Sequence, residues 1–250
     1  MNRQIMPVFA VFGDIHGNLD FMYENACEWQ KNNTKLDAIL QVGDFQTVRT
    51  ADDLNYLFVP SRHKKIGDFP DYAFGRKKAP IFTIFTNGNH EAWNVLAEHM
   101  FGGCVAKNMH YLGRGGTTTV KEVTIGGLGG LYNAEVFHRP IPRKPCNQWK
   151  YYRKAEIARL QDKNLDILLL HEWVKPVGQI TIGSSSQIPL DLYQGRQTPA
   201  AQLVWRIKPS FVCMGHMHGT RLEGTMGKTH VYGLPICVPG SHDFMKVIEL

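Results

Sequence analysis

The chain lacks the marks of several protein classes. No stretch approaches the roughly 18 consecutive apolar residues of a membrane-spanning helix. The apolar run Met6 to Phe12 is too short for a secretory core and passes straight into Gly13-Asp14. Cysteine is scarce: Cys27, Cys104, Cys146, Cys213 and Cys237 form an odd, scattered set with no CxxC pair. That argues against a disulfide framework and fits a reducing, intracellular compartment. There is no fixed-period repeat and no low-complexity tract; serines 184–186 mark a loop at most. Charge is modest, with 28 Lys plus Arg against 22 Asp plus Glu, so the net of +6 is a mild bias toward anionic partners such as nucleic acid and decides nothing alone. What is present is a globular composition, 43% hydrophobic over 250 residues. It predicts one domain over residues 1–250 with a real core.

Apolar periodicity gives the organisation. Val8 to Phe12 reads as a buried strand, followed by a polar turn and a helix whose apolar positions Leu19, Met22, Ala26 and Trp29 recur at helical spacing. The pattern repeats twice: strand Ala38 to Val42 with a helix near Ala51 to Phe58, then strand Ile81 to Thr86 with a helix from Glu91 to Glu98. Consecutive strand-loop-helix units imply right-handed crossovers and a parallel sheet covered by helices. The second half is β-rich (Thr117 to Ile125, Ile167 to Leu170, Phe211 to Met214, Thr229 to Leu234, Phe244 to Leu250), with a helix over Tyr152 to Gln161, which predicts a pair of mixed sheets. Residues 60–80 and 132–150 carry too many Pro, Gly and basic residues for regular elements and read as surface insertions of the kind that serve function.

Each of the core strands ends in residues with metal-ligand chemistry. Asp14 and His16 follow the first, Asp44 the second, Asn89 and His90 the third, His171 the Ile167 run, and His216 and His218 the Phe211 run. Side chains just beyond the carboxyl ends of strands converge on one crevice in open α/β sheets. Two divalent cations need a shared carboxylate plus separate nitrogen and oxygen ligands, and this set supplies them. Asp44 is the natural bridge. One cation takes Asp14, His16, Asp44 and His218; the other takes Asp44, Asn89, His171 and His216. Mixed His, Asp and Asn ligands suit manganese, iron or zinc. Such pairs acidify bound water toward pKa ~7, giving a hydroxide that attacks phosphorus. His90, beside a ligand but not one itself, is placed to protonate the departing oxygen, with Glu91 to orient it.

With these residues in order, the chain resembles the calcineurin-like metallophosphoesterases: GDIHG at 13–17, GDFQ at 43–46, GNHE at 88–91, His171, and GHMH at 215–218. The resemblance implies a β-sandwich of two mixed sheets flanked by helices, and two-metal hydrolysis of phosphate esters. A narrower resemblance lies in GDFQTVRTADDL, IGDF, APIFTIFTNGNHEAWNVL, GGCVAKNMHYLG and IGGLGGLY, which are similar to the RNA lariat debranching enzymes. It implies cleavage of the 2′,5′-phosphodiester of branched RNA, a loop over Tyr132 to Tyr152 that contacts the lariat, and a nuclear setting if the chain is eukaryotic, otherwise a cytoplasmic one. The chain departs from that family in three ways. Asp14 stands where the debranching enzymes commonly carry Cys, only 32 residues follow the last ligand, and the loop is loosely similar. The first departure favours a fully occupied binuclear site.

Short motifs arise readily, so a lone Asp-x-His or Gly-Asp turn is usually a loop or cap. Several pieces in the family's order, each at a strand end, outweigh that reading. His63, His99, His110, His138, His230 and His242 read as surface or turn residues. Gly126, Gly127, Gly129 and Gly130 do not fit the GxGxxG spacing and read as close-packing positions. Val136 to Ala155 holds six basic residues and no acid, with Trp149, Tyr151 and Tyr152 interleaved. Arg139, Arg143, Lys144 and Trp149 are therefore candidates for single-stranded RNA, cations on phosphates and a ring on a base. The competing reading is a solvated loop whose rings simply pack. Lys64-Lys65 and Arg76-Lys77-Lys78 read as solvated surface that could extend a basic rim. Two other readings stay open: a phosphoesterase for nucleotides or phosphoproteins, and a non-catalytic protein-binding scaffold, which retention of all seven ligands and His90 disfavours.

Overall fold

A computed structural model describes residues 6–174, 180–182, 198–219 and 221–250. The elements run β1 (Val8–Phe12), α1 (Leu19–Asn32), β2 (Ala38–Gln41), α2 (Phe69–Ala73), β3 (Thr83–Phe85), α3 (Trp93–Ala97), β4 (Gly103–Ala106), β5 (Met109–Tyr111), β6 (Gly116–Val120) and β7 (Val123–Leu128). They continue through α4 (Ala134–Phe137), α5 (Lys154–Leu160), β8 (Ile167–Leu170), β9 (Ile180–Ile182), α6 (Pro199–Ile207), β10 (Phe211–Met214), β11 (Leu222–Met226), β12 (Thr229–Gly233) and β13 (Met245–Glu249). The loop expected at 184–186 lies outside the described residues.

The strands form two mixed sheets, six-stranded in the order β13-β1-β2-β3-β5-β4 and seven-stranded in the order β6-β7-β8-β10-β12-β11-β9. In the first, β1, β2, β3 and β5 are parallel and β13 and β4 are antiparallel edges. In the second, β7, β8, β10 and β12 are parallel, β6 pairs antiparallel on one side, and on the other β11 is antiparallel to β12 and β9 to β11. The two-residue period of the pleat sorts each strand between two layers. Phe9 and Val11 of β1 and Ile167 and Leu169 of β8 meet in the core between the sheets. Val8, Ala10 and Phe12 turn instead to the α1 side with Leu19, Met22 and Ala26, while Leu168 and Leu170 pack on α6 through Ala200, Leu203 and Val204. Burial on both faces is why these strands read as unbroken apolar runs. Among the described residues no helix is long and apolar enough to cross a membrane.

Several local expectations are corrected. Ala51 to Phe58 is a 3-10 helix spanning Ala51–Tyr56. The expected helix from Glu91 starts at Trp93, because Ala92 with ψ of 86° lies outside the helical region. Thr117 to Ile125 is a hairpin: Lys121 and Glu122 turn it with φ of 45° and 71°. The insertion at 60–80 is not free of regular structure, since it holds a 3-10 turn at Ser61–His63 and α2, and the one at 132–150 holds α4 and a 3-10 turn at Asn147–Lys150. The β4-β5 hairpin and α6 escaped the sequence reading; Thr198 accepting from the Ala201 N–H ahead of Pro199 is a helix-start signal that would have found α6.

Candidate active site

The carboxyl ends of β1, β2, β3, β8 and β10 open on one cleft, and the seven candidate donors meet there. Four of them, Asp14, His16, Asp44 and His218, offer donor atoms that all lie within 4.8 Å of one another. His218 Nε2 sits 3.0 Å from Asp14 Oδ2 and 3.1 Å from His16 Nε2. His16 Nε2 is 3.6 Å from Asp44 Oδ2. On the other side of Asp44, His171 Nε2 lies 3.4 Å from its Oδ1 and 2.9 Å from Asn89 Oδ1, and the His216 ring stands edge-on to His171 with centroids 5.0 Å apart. Asp44 thus lies between two groups of donors, as a bridging carboxylate would.

The backbone is bent to achieve this. His16, Asp44 and His216 have φ of 43°, 54° and 69°. Non-glycine residues in that region cost of order 1–3 kcal/mol each and gather at functional sites. Glycine is required where the loops touch: a Cβ on Gly88 would fall 2.0 Å from Asp44 Oδ1, and one on Gly43 (φ 104°) 2.5 Å from His171 Nδ1. The Gly-Asp and Gly-Asn pairs of the motifs are therefore one interlocked contact.

Asp44 Oδ1 accepts the N–H groups of Asn89 and His90, both at 2.7 Å, whereas buried Asp44 Oδ2 has no hydrogen-bond partner. An unpaired buried carboxylate oxygen costs several kcal/mol unless a cation takes it. The donor set fits divalent cations on that ground. Burial opposes ionisation of Asp44, but His171, His16, His90 and the His90 N–H outweigh it and hold the carboxyl below the usual range. His171 Nδ1 faces Val42 O at 3.1 Å, which fixes the proton there and leaves the Nε2 lone pair aimed into the cleft. Hydrogen bonding to Asp14 holds His218 above the ordinary imidazole range, while burial pushes His216 down to about 4.

His90 stands at the edge of the donors. Its ring meets His16 at a centroid distance of 4.9 Å, its buried Nδ1 has no partner, and burial pushes its pKa down to about 4. The expectation that Glu91 orients His90 is corrected. Fully buried Glu91 accepts from the N–H groups of Gly88, Phe45 and Gln46 at 2.9, 3.0 and 2.8 Å, so it ties the Asp44 loop to the Asn89 loop. Burial and the charge of Asp44 push it up to about 8 against those three bonds.

The 132–150 segment is pinned beside His171. Glu172 accepts from the Tyr132 N–H at 2.7 Å and the Tyr152 hydroxyl at 2.5 Å, and Arg114 donates to the carbonyls of Trp149 and Tyr151. Arg139, Arg143 and Lys144 are exposed on it. Trp149 is a correction: it is 1% exposed, donates to Pro142 O at 3.1 Å and packs against Trp93 and the Arg114 guanidinium, so its ring is not available to a base. His63 is exposed on a turn, in keeping with its reading as a surface or turn residue, but its ring also stands 5.5 Å from that of His90. No local signal in the sequence placed it there.

Comparison with known proteins bears on this cleft. A family model described as calcineurin-like phosphoesterase matches residues 7–220. Among curated proteins, the lariat debranching enzyme of Arabidopsis thaliana is 34% identical over 96% of this chain and 62% of its own length. The enzyme A of Xenopus laevis is 36% identical over 96% and 50%, and that of Homo sapiens 31% over 96% and 49%. The chain spans between 49% and 62% of the length of these relatives. In fold, the crystal structure of TT1561 of Thermus thermophilus aligns over 98% of this chain and 99% of that one, with a TM-score of 0.56 at 14% identity. With its strand-end donors gathered around Asp44 and its sequence matched from residue 7 to 220, the chain belongs to the calcineurin-like phosphoesterase family.

Proposed function

We propose that the chain is a metal-dependent phosphodiesterase acting on nucleic acid, with the 2′,5′-linked branch of RNA as its preferred bond. The observation that carries the reading is buried Asp44, its Oδ2 without a hydrogen bond, between two groups of nitrogen and oxygen donors, in a chain similar over nearly its whole length to proteins named lariat debranching enzymes. Asp14, His16, Asp44 and His218 would hold one divalent cation and Asp44, Asn89, His171 and His216 the second, with manganese, iron and zinc all suited to these ligands. When bound, the two cations supply an acidified water and a positive field for the phosphoryl oxygens.

The remaining steps belong to the chain's own residues. Held ionised, Asp44 draws the Asn89 and His90 N–H groups inward and keeps both side chains at the cleft. His171 cannot turn away while Val42 O accepts from it. His90 is neutral in the free site because burial disfavours its charged form. An anionic phosphate beside the ring reverses that balance, so the imidazole gains its proton in the presence of substrate and gives it to the departing ribose oxygen. Exposed Arg139, Arg143 and Lys144 supply cations for flanking phosphates.

The test is cleavage of 2′,5′- and 3′,5′-linked oligonucleotides and a chromogenic phosphodiester with Mn²⁺, Fe²⁺ or Zn²⁺ each supplied. Faster turnover of the 2′,5′ linkage supports the reading. Turnover of the chromogenic ester alone assigns the chain to small phosphoesters or phosphoproteins, and no turnover with any metal leaves a scaffold.

A further inference from the structure

The insertion at 60–80 contains two unlike basic groups. At its far end Arg76 and Lys77 are neutralised, Arg76 by Asp71 at 2.7 Å and Lys77 by Asp20 at 2.5 Å and Asp71 at 3.4 Å. At its near end Arg62, His63, Lys64 and Lys65 run consecutively, and among the described residues Arg62, Lys64 and Lys65 have no carboxylate partner. That near end is fastened to the cleft. Gln46, two residues beyond Asp44, donates its side-chain amide to Lys65 O at 2.6 Å. Gly17, next to His16, accepts from the Asp68 N–H at 2.8 Å, and its backbone lies so close to Gly67 that a Cβ there would fall 2.4 Å from Gly17 O. The 3-10 turn Ser61–His63 sets the His63 ring edge-on to His90, and Arg62 Nε donates to His63 Nε2 at 3.0 Å, so the guanidinium is held against that ring.

We propose that Arg62 to Lys65 is a phosphate-contacting wall of this site, taking the backbone of the nucleic-acid strand on the His90 side of the scissile bond. Unpaired cations held against a catalytic cleft by its own motif residues attract phosphates without sequence preference, and they make binding depend on salt. A small phosphodiester has no flanking phosphate to reach them. The proposal rests on the nucleic-acid reading above and adds which surface selects the polymer.

The test measures kcat/KM on a 2′,5′-branched oligonucleotide relative to a chromogenic phosphodiester, for wild type, Arg62→Ala/Lys65→Ala, His63→Ala, and the control Arg76→Ala/Lys78→Ala, each checked for an unchanged melting temperature. The ratio is expected to fall about tenfold in the first double variant and to fall in His63→Ala. The slope of log(kcat/KM) against log salt should flatten by about 0.7 per phosphate contact removed, with the control unchanged. Equal loss on both substrates, the same loss in the control, or an unaltered ratio in a protein that cleaves the oligonucleotide would overturn the wall alone. A wild type that cleaves only the chromogenic ester overturns the nucleic-acid reading and the wall with it.

Discussion

At the level of single residues, the two oxygens of Asp44 have unequal surroundings, and the difference predicts what substitution does. Oδ1 is committed to two N–H groups, and buried Oδ2 has no hydrogen bond. Asp44→Asn can keep the first set but not the charge that faces both donor groups. It should lower bound metal from roughly two ions per chain to less than one, read by elemental analysis after reconstitution. His90→Ala removes no donor, so it should retain fold and metal while kcat falls about 10²–10⁴-fold on a phosphodiester with a poor leaving group. Full activity of that variant would show that His90 is not the acid. The seven candidate donors were readable in the sequence because each sits one to four residues past a strand and strand ends converge. His63 was not, since its place depends on how a separate segment folds back over the cleft. Trp149 looked like a stacking ring because sequence shows only its basic neighbours, not the Trp93 and Arg114 that enclose it.

Short elements brace the loops that carry the site. Asp53, in the 3-10 helix Ala51–Tyr56, accepts from the Arg49 and Thr50 N–H groups at 2.8 and 3.1 Å and from Asn94 of α3 at 2.5 Å, joining the segment after Asp44 to the one after His90. Asp53→Ala should cost about 1–3 kcal/mol in urea unfolding at neutral pH, the usual range for orphaning such bonds. Burial opposes its charge, but Asn94, Arg49 and its N–H prevail and hold the carboxyl below the usual aspartate range. A lowered folded pKa stabilises above the unfolded value and is lost as pH falls through the folded one. The gap between wild type and Asp53→Ala should therefore narrow on acidification below about pH 4, and a gap that widens would refute the assignment. Trp149→Ala, by contrast, removes a core ring and should cost about 3–5 kcal/mol. Had the ring served a base, the loss would appear in KM and leave the denaturation midpoint in place. The buried parallel strands β1, β2, β8 and β10 were legible from apolar runs; the three-residue strands β3, β5 and β9 give too little pattern to fix their ends.

Across the whole molecule, the candidate ligands come from both sheets: Asp14, His16, Asp44 and Asn89 follow strands of the first, His171, His216 and His218 strands of the second. Cations held between them would clamp the sandwich at one end, and binding only the folded state adds stability by mass action, about 2.7 kcal/mol at a hundredfold excess over Kd. Chelation should lower the melting temperature by roughly 5–10 °C, with recovery on adding Mn²⁺ or Zn²⁺. An unchanged melting curve would mean that the cleft holds no cation tightly. By itself the sequence determined the buried strands β1, β2, β8 and β10, the candidate donor set and its order, because these follow from apolar runs and from chemistry adjacent along the chain. Only the tertiary structure decided that Asp44 stands between two donor groups, that Glu91 ties loops and not His90, that Trp149 is core, and that His63 reaches the cleft. Those outcomes depend on packing between segments tens to hundreds of residues apart, whose contacts leave no period or spacing in the chain to read.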